Sequence, residues 1–507
     1  MSNIAQKSRT RWAQTQRWLR GDMLSTQTLI MIGLMATAFI SGLNHHTFSV
    51  VLPSIRHDFS LDADIVSWVT MANTLSLIIF MPLYGRLGDK LGKRRLLLLG
   101  VMLFIVGTAI IIVSINLAWL MIGRIVQGMG TAGFTPLSIA IISQRFAPED
   151  RGQLMGTWNS AVPLTGFTVP FLGGLLVDAF GWRGMYPLML VCGIIALWLV
   201  YKNVPGRTAT TDSETSLTAT DVAIADNDTG LFLRQFDWIG VVLLSSATIV
   251  LLLYTSSRAI TGVPALQDWR LLGLCFLLFA GLIVWERRRE TQWVAEEYIA
   301  ETQPYINLNL FRNRNFTLTC ISAGLRMSLM TSAAFVIPLY LNEIHGLKAS
   351  TIGIAIALQT AMLFLVSRAG GQLADRWGSR RPVLLSMVGM VGMLAFQAML
   401  PASAPLWLTF VAVMGHGLFI GLSLGPLHRS AMQGVSDEES GSAAGLYSLI
   451  RFSGIVLGTA VAGVFLQQGL SQATTQGAEP VVAYQVVFWG YAGVALLNLV
   501  ISWWLKD

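Results

Sequence analysis

The amino-acid sequence predicts an all-α polytopic membrane protein with about fourteen transmembrane helices. Three observations carry that prediction. Hydrophobic residues make up 54% of the chain and charged residues 12%, with a mean hydropathy of +0.61, whereas a soluble domain carries about 25% charged residues. Apolar runs of roughly 20 residues or more, long enough to cross a bilayer, recur from end to end. One polar pattern also occurs twice between such runs, as Gly85-Arg-Leu-Gly-Asp-Lys-Leu-Gly-Lys-Arg-Arg95 and Gly371-Gln-Leu-Ala-Asp-Arg-Trp-Gly-Ser-Arg-Arg381. Two copies of one helix–turn–helix imply an internal repeat, a common feature of transporter folds.

The same counts exclude other classes. The net charge of +7 comes from cations clustered at helix ends. It reads as membrane topology, so no nucleic-acid partner is expected. Cys192, Cys275 and Cys320 fall inside apolar runs, without zinc-like spacing and without a predicted disulfide. The chain contains no Walker-type phosphate loop, His-Glu-x-x-His, Cys-x-x-Cys or Gly-x-Ser-x-Gly pattern. An enzyme is therefore not predicted, nor direct use of ATP, and no cofactor or metal is called for. The basic start runs into an apolar stretch too long for a signal-peptide core, with no Ala-x-Ala site.

In chain order, residues 1–25 form a basic tail expected on the cytoplasmic side. Within it, Arg11 to Trp18 suits an interfacial helix with Trp12 and Trp18 at headgroup level. Apolar spans follow near 26–53, 63–85, 95–115, 118–144, 152–178 and 184–203. Two more lie near 237–257 and 269–286, and six near 315–342, 350–373, 381–401, 405–430, 440–468 and 482–505. An even number puts both termini on one side. Placing them inside leaves roughly two dozen Lys and Arg in cytoplasmic segments and about five outside, so both termini are predicted cytoplasmic. Residues 204–236, rich in Thr, Asp and Ala, and 287–314, which open on Arg287-Arg-Arg289, read as cytoplasmic linkers.

The repeated motif, Gly-x-Leu-x-Asp-x-x-Gly followed by basic residues, resembles the loop between helices 2 and 3 of major facilitator superfamily transporters. Its second copy joins helices 10 and 11, where a twelve-helix member would have it between helices 8 and 9. Residues 237–286 therefore read as two helices inserted between an N-terminal bundle, 26–203, and a C-terminal bundle, 315–507. This resembles the fourteen-helix drug:proton antiporter branch, as do Leu310-Phe-Arg-Asn-Arg-Asn-Phe316 and Pro338-Leu-Tyr-Leu341. The resemblance implies the major facilitator fold, with two six-helix bundles that give alternating access to a central site. It also implies that Gly85, Asp89, Gly92 and Arg94, with Gly371, Asp375 and Gly378 in the second copy, gate one side.

Further residues are carried by the same resemblance. Arg124 and Gln127 in helix 4 match the Arg-x-x-Gln-Gly motif, whose arginine is implicated in proton coupling. Helix 5 matches the antiporter motif at Pro170, Gly173 and Gly174 but departs from it at Thr165 and Val169, where the family has glycine. In helix 1 the branch usually has an aspartate where Asn44 stands, and His45 and His46 follow it.

Histidine titrates near neutral pH, so His45, His46 and His416 replace the missing acid as coupling candidates. No acid lies near the middle of any span, while Arg124 and Arg326 lie well inside helices 4 and 9. Counting along the helices places His45 and Arg124 about 9–12 Å from their outer ends, and Arg326 and His416 about 16–24 Å. The four are expected to line one cavity if their faces agree. The reading for function is proton-coupled export of an amphipathic organic compound. The alternative is a transporter specialised for an organic anion, such as an acidic metabolite or siderophore-like compound, since an anion would offset the buried arginines. A non-transporting membrane sensor or scaffold is the weaker alternative. The expected partners are a small-molecule substrate, protons and the lipid bilayer, and the expected form is a monomer in the plasma (inner) membrane.

Overall fold

The computed structural model describes residues 26–146, 154–155, 157–158, 160–205, 237–256, 263, 267–295, 308–435 and 440–506. The N-terminal tail and most of the first linker lie outside the described residues. Among the described residues the first half holds α1 (Thr26–Asp58), α2 (Ala63–Leu91), α3 (Lys93–Ile112), α4 (Leu117–Thr131), α5 (Phe134–Arg145), α6 (Ala161–Phe180) and α7 (Met185–Asn203). The inserted pair is α8 (Trp238–Ser256) and α9 (Trp269–Ala295). The second half holds α10 (Arg314–Glu343), α11 (Ala349–Trp377), α12 (Arg380–Ala398), α13 (Leu406–Leu422), α14 (Leu424–Met432), α15 (Ser440–Gln476) and α16 (Val481–Trp503). Helix is the form that lets each apolar segment satisfy its own backbone polar groups away from water. Among the described residues thirteen helices are long and apolar enough to cross a membrane, and Leu164–Phe180 is a shorter apolar helix. With that shorter helix they match, one for one, the fourteen apolar runs.

The repeat is visible in space. The fourth span of the first half breaks between α4 and α5, at Ala132 and Gly133, and its counterpart breaks between α13 and α14, at Ser423. At the start of α3, Arg94 lies 5.3 Å from the ring of Tyr201 and donates to its carbonyl at 2.5 Å, near the end of α7. The equivalent Arg380, at the start of α12, lies 5.1 Å from the ring of Trp503 at the end of α16.

The structure corrects two boundaries. The repeated motif was expected to be a turn, yet Gly85 to Leu91 continue α2 and Gly371 to Trp377 continue α11. The turns are centred on Gly92 and Gly378, which adopt positive φ values of 92° and 79°. Only glycine takes that conformation without strain. The arginines 287–289 also lie inside α9 and not in a linker, because the helix runs on past the apolar stretch.

The halves touch along two seams, α6 against α11 and α2 against α15, and also through α1 against α10. The inserted helices pack mainly on each other, and α8 also touches α2 and α15. Leu252 of α8 enters a buried cluster with Met71 and Ile78 of α2 and Val456 and Ala460 of α15. The insertion therefore covers one of the two seams between the halves. Asp237 pins the pair at one end, accepting from the Gly240 amide at 2.9 Å and from the Trp285 indole at 2.8 Å.

Candidate functional site

Polar contacts between the halves gather at the end of the bundle opposite the Gly92 and Gly378 turns. Arg56 of α1 pairs with Glu343 of α10, and Tyr484 donates to the same carboxylate at 2.6 Å. Asp178 of α6 accepts from the first amides of α11, Ala349 at 2.9 Å and Ser350 at 3.1 Å. It thus caps a helix of the other half, satisfying amides that no intrahelical carbonyl reaches. Gln467 accepts from the Ala63 amide at 2.8 Å. A Cβ on Gly353 would strike the Pro170 carbonyl, and one on Gly174 would strike the Ala349 carbonyl. Pro170 and Gly174 thus serve the contact between α6 and α11. Gly173 faces its own half, with the Met185 side chain 3.2 Å from where its Cβ would be.

Deeper in the first half lies a knot of buried polar groups. Arg124 of α4 is 4% exposed. Its Nη1 donates to Asn44 Oδ1 at 2.9 Å and to Gln127 Oε1 at 3.1 Å, and its Nε to the Val69 carbonyl at 3.4 Å. None of these bonds uses Nη2. Gln127 passes a hydrogen bond on to Thr108 at 2.9 Å. Asn73 of α2 donates to the Arg124 carbonyl at 3.2 Å and accepts from Asn44 at 3.3 Å. The ring of Phe48 sits 4.4 Å from the guanidinium carbon. Gly128 and Gly107 make the knot possible, since a Cβ on Gly128 would strike the Asn73 backbone and one on Gly107 the backbone at Gln127. Neutral dipoles thus hold the cation where the branch usually supplies an aspartate, and no carboxylate pairs with Arg124 among the described residues.

The adjacent histidines differ, as their separation of about 100° around a helix requires. His45 is exposed although Asn44 and Thr47 beside it are buried. His46 is half-buried, its Nε2 2.9 Å from where a Cβ on Gly166 of α6 would sit. The rings meet edge to face at 5.1 Å. Thr165, a departure from the antiporter motif, faces Gly42 of α1, and the glycine's missing side chain makes room for its hydroxyl.

The second half holds a separate cationic group. Arg326 of α10 is 2% exposed and makes only long contacts, 3.4 Å to the Ile420 carbonyl and 3.6 Å to the Met327 sulfur. Arg451, on α15, which packs against α10, lies 5.5 Å from the Tyr447 ring and 3.1 Å from His428 Nε2.

Of the four residues expected to share a cavity, His416 is set apart by its burial. His45 and Arg124 belong to one half and Arg326 to the other. His416 lies fully buried in α13, beside Met393 of α12. Its face points between two helices of the same half, which counting along the sequence could not reveal. Gln127, three residues along the same helix, is a neutral partner of Arg124. The side chain of Asp89 lies outside the described set. Its counterpart Asp375 accepts from Arg429 at 2.9 Å. Sequence reasoning missed Asn73, His428 and Tyr447 as partners. Asn73 carries a signal that was available, an amide in mid-span, where a polar group needs a partner.

Two equivalent helical halves, a seam sealed by an ion pair and backbone contacts, and charged side chains buried among apolar helices define the architecture of a polytopic carrier. The description Major Facilitator Superfamily matches residues 34–459 and again 319–507, and the chain belongs to that family. It is 26% identical over 481 residues to the riboflavin transporter RibZ of Clostridioides difficile (strain 630), covering 94% of this chain and 96% of that one. It is 28% identical over 458 residues to the multidrug resistance protein Stp of Mycobacterium tuberculosis, covering 89% of this chain and 78% of the relative. In fold it is similar to an inward-facing, occupied bacterial homolog of the human lysosomal transporter Spinster. That likeness has a TM-score of 0.67 at 12% identity and covers 95% of this chain and 97% of the other.

Proposed function

We propose that the protein is a secondary active transporter that exports an amphipathic organic compound in exchange for protons, by alternating access. The observation that carries this reading is the seam between the halves. Arg56–Glu343, Asp178 on the α11 amides and the glycine contacts of α6 and α11 seal one end, and exposed His45 and buried Arg124 lie farther in. With both termini cytoplasmic in the plasma (inner) membrane, as the distribution of cations favours, the sealed end is the outer one and the conformation faces inward. The Asp89 and Asp375 motifs then lie at the open side, where their gating role is to close it. His45 and His46, next to the Arg124 knot, are the groups that take up and release the proton, and the carrier works as a monomer.

A second reading, a transporter specialised for an organic anion, is favoured by the guanidinium groups buried without carboxylate partners. Flux of anionic, neutral and cationic dyes in proteoliposomes, with and without a pH gradient, tests both. Gradient-driven movement supports export. Movement without dependence on the gradient removes the proton, and absence of flux for every compound leaves the sensor or scaffold.

A further inference from the structure

We propose that Arg326 and Arg451, with His428 at the mouth, form the subsite for the anionic group, carboxylate or phosphate, of the transported solute. The inference rests on the transporter reading above. The backbones of α10 and α15 come together at Gly324 and Gly454, where a Cβ on Gly454 would strike the Gly324 carbonyl. That approach places Arg326 two residues from one contact glycine and Arg451 three residues from the other. Two guanidinium groups carry ten N–H donors and two fixed positive charges. The contacts formed are few and long for a buried cation: 3.4 Å to a carbonyl and 3.6 Å to a thioether from Arg326. Arg451 spends Nη1 on His428, and its buried Nε has no partner. Among the described residues no carboxylate pairs with either arginine; the neighbouring Asp375 is taken by Arg429 at 2.9 Å. Like charges held together away from bulk water repel, and an anion between them relieves both the repulsion and the unmet donors.

Access and orientation fit a solute. His428 Nδ1 lies 2.9 Å from the Leu424 carbonyl and Nε2 lies 3.1 Å from Arg451 Nη1. The pattern is met when Nδ1 donates and a neutral Nε2 accepts, which aims the guanidinium. His428 is exposed while Arg326 is buried, so the cluster has an exposed edge and a buried charge. The exposed face of α14 lies between α11, where Arg429 reaches the Ala374 carbonyl, and α15, where His428 meets Tyr447 edge to face at 5.1 Å. These two helices make the most extensive contacts of the second half with the first, α11 with α6 and α15 with α2. The exposed edge therefore lies between helices that border the passage between the halves, and we assign the cluster to a solute and not to a lipid headgroup.

The test is equilibrium fluorescence binding of three probes that share one aromatic body to the full chain in phosphatidylcholine nanodiscs: dansylglycine (anionic), dansylamide (neutral) and dansylcadaverine (cationic). Wild type is expected to prefer dansylglycine, and Arg326→Gln and Arg451→Gln each to weaken it about tenfold or more, the effect of losing one charged hydrogen bond. Dansylamide binding is expected to stay within about twofold. Arg326→Lys and Arg451→Lys keep the charge and are expected to retain part of the preference, so they decide the matter if a glutamine variant fails to fold. Preference of wild type for the cation, or equal loss of all three probes in every variant, overturns the proposal. Loss of dansylglycine binding when phosphatidylglycerol is added to the discs overturns the solute assignment in favour of a lipid phosphate. Dansylglycine flux in proteoliposomes separates the two readings. Anion preference without flux overturns the transport reading and with it the solute role, whereas flux without preference overturns the anion site alone.

Discussion

Asn44 stands where an aspartate would usually face Arg124, and the structure shows what replaces the missing charge. Asn44, Gln127 and the Val69 carbonyl surround the guanidinium with acceptors that carry no net charge. Such a cage holds a cation in place without neutralising it, so the site keeps a positive potential. Arg124→Gln is expected to lower transport about tenfold or more, because charged hydrogen bonds contribute roughly 1.5–3 kcal/mol each. Arg124→Lys should rescue little of it, since one ammonium nitrogen cannot reach the Asn44 and Gln127 amide oxygens and the Val69 carbonyl together, as Nη1 and Nε do. Initial rates in proteoliposomes, normalised to inserted protein, check both. The histidines give a second test at this scale. Transport is expected to change between about pH 5.5 and 7.5, around the reference histidine value. His45→Gln with His46→Gln should flatten that profile, whereas His416→Gln should leave it in place, because His416 is sealed between helices of one half. A flattened profile in the His416 variant alone would move the coupling group out of the first half.

Among the elements, α6 and α11 carry the most exacting contact. Their backbones meet where Gly353 faces the Pro170 carbonyl and Gly174 faces Ala349, so a side chain at either glycine holds the helices apart. Gly353→Val is expected to insert normally and to transport about tenfold more slowly, given the roughly 1–3 kcal/mol that overpacking costs. Greater thiol labelling of a cysteine placed at Ser350 would report the loosened seal. Unchanged rate and labelling would show that this contact does not limit the cycle. Thr165 illustrates how an element absorbs a departure from a motif: the space comes from Gly42 on the facing helix. The insertion is tied together at Asp237 and lies over the seam of α2 and α15, so its helices are placed to follow any movement there.

For the whole molecule, the sealed end makes a prediction about the cycle. Arg56 and Glu343 join the halves across the end that must open if access alternates. Cysteines at these two positions, with Cys192, Cys275 and Cys320 replaced by serine, joined by a short bismaleimide, should stop transport completely. Each single-cysteine variant treated alike should keep its activity. Continued flux in the cross-linked protein would mean that the halves do not separate at this end.

The helices, their number and the two-fold repeat were legible from the sequence alone. Each span is set by a long apolar run, and the repeat by two copies of one polar pattern. Those are local properties, written in consecutive residues. The motif copies also marked where α2 gives way to α3 and α11 to α12, though Gly92 and Gly378 are the turns and the acids before them are helical. Rotation of each helix about its axis and the register between helices distant in sequence were beyond it. These depend on where glycines let backbones touch, and so on packing partners far along the chain. Hence Arg124 and Gln127 were readable as a pair three residues apart on α4, while Asn73 joined them only through the packing of α2. Arg326 was readable as a buried cation, but its neighbour Arg451, 125 positions later in the chain, comes beside it only because Gly324 and Gly454 bring α10 and α15 into contact.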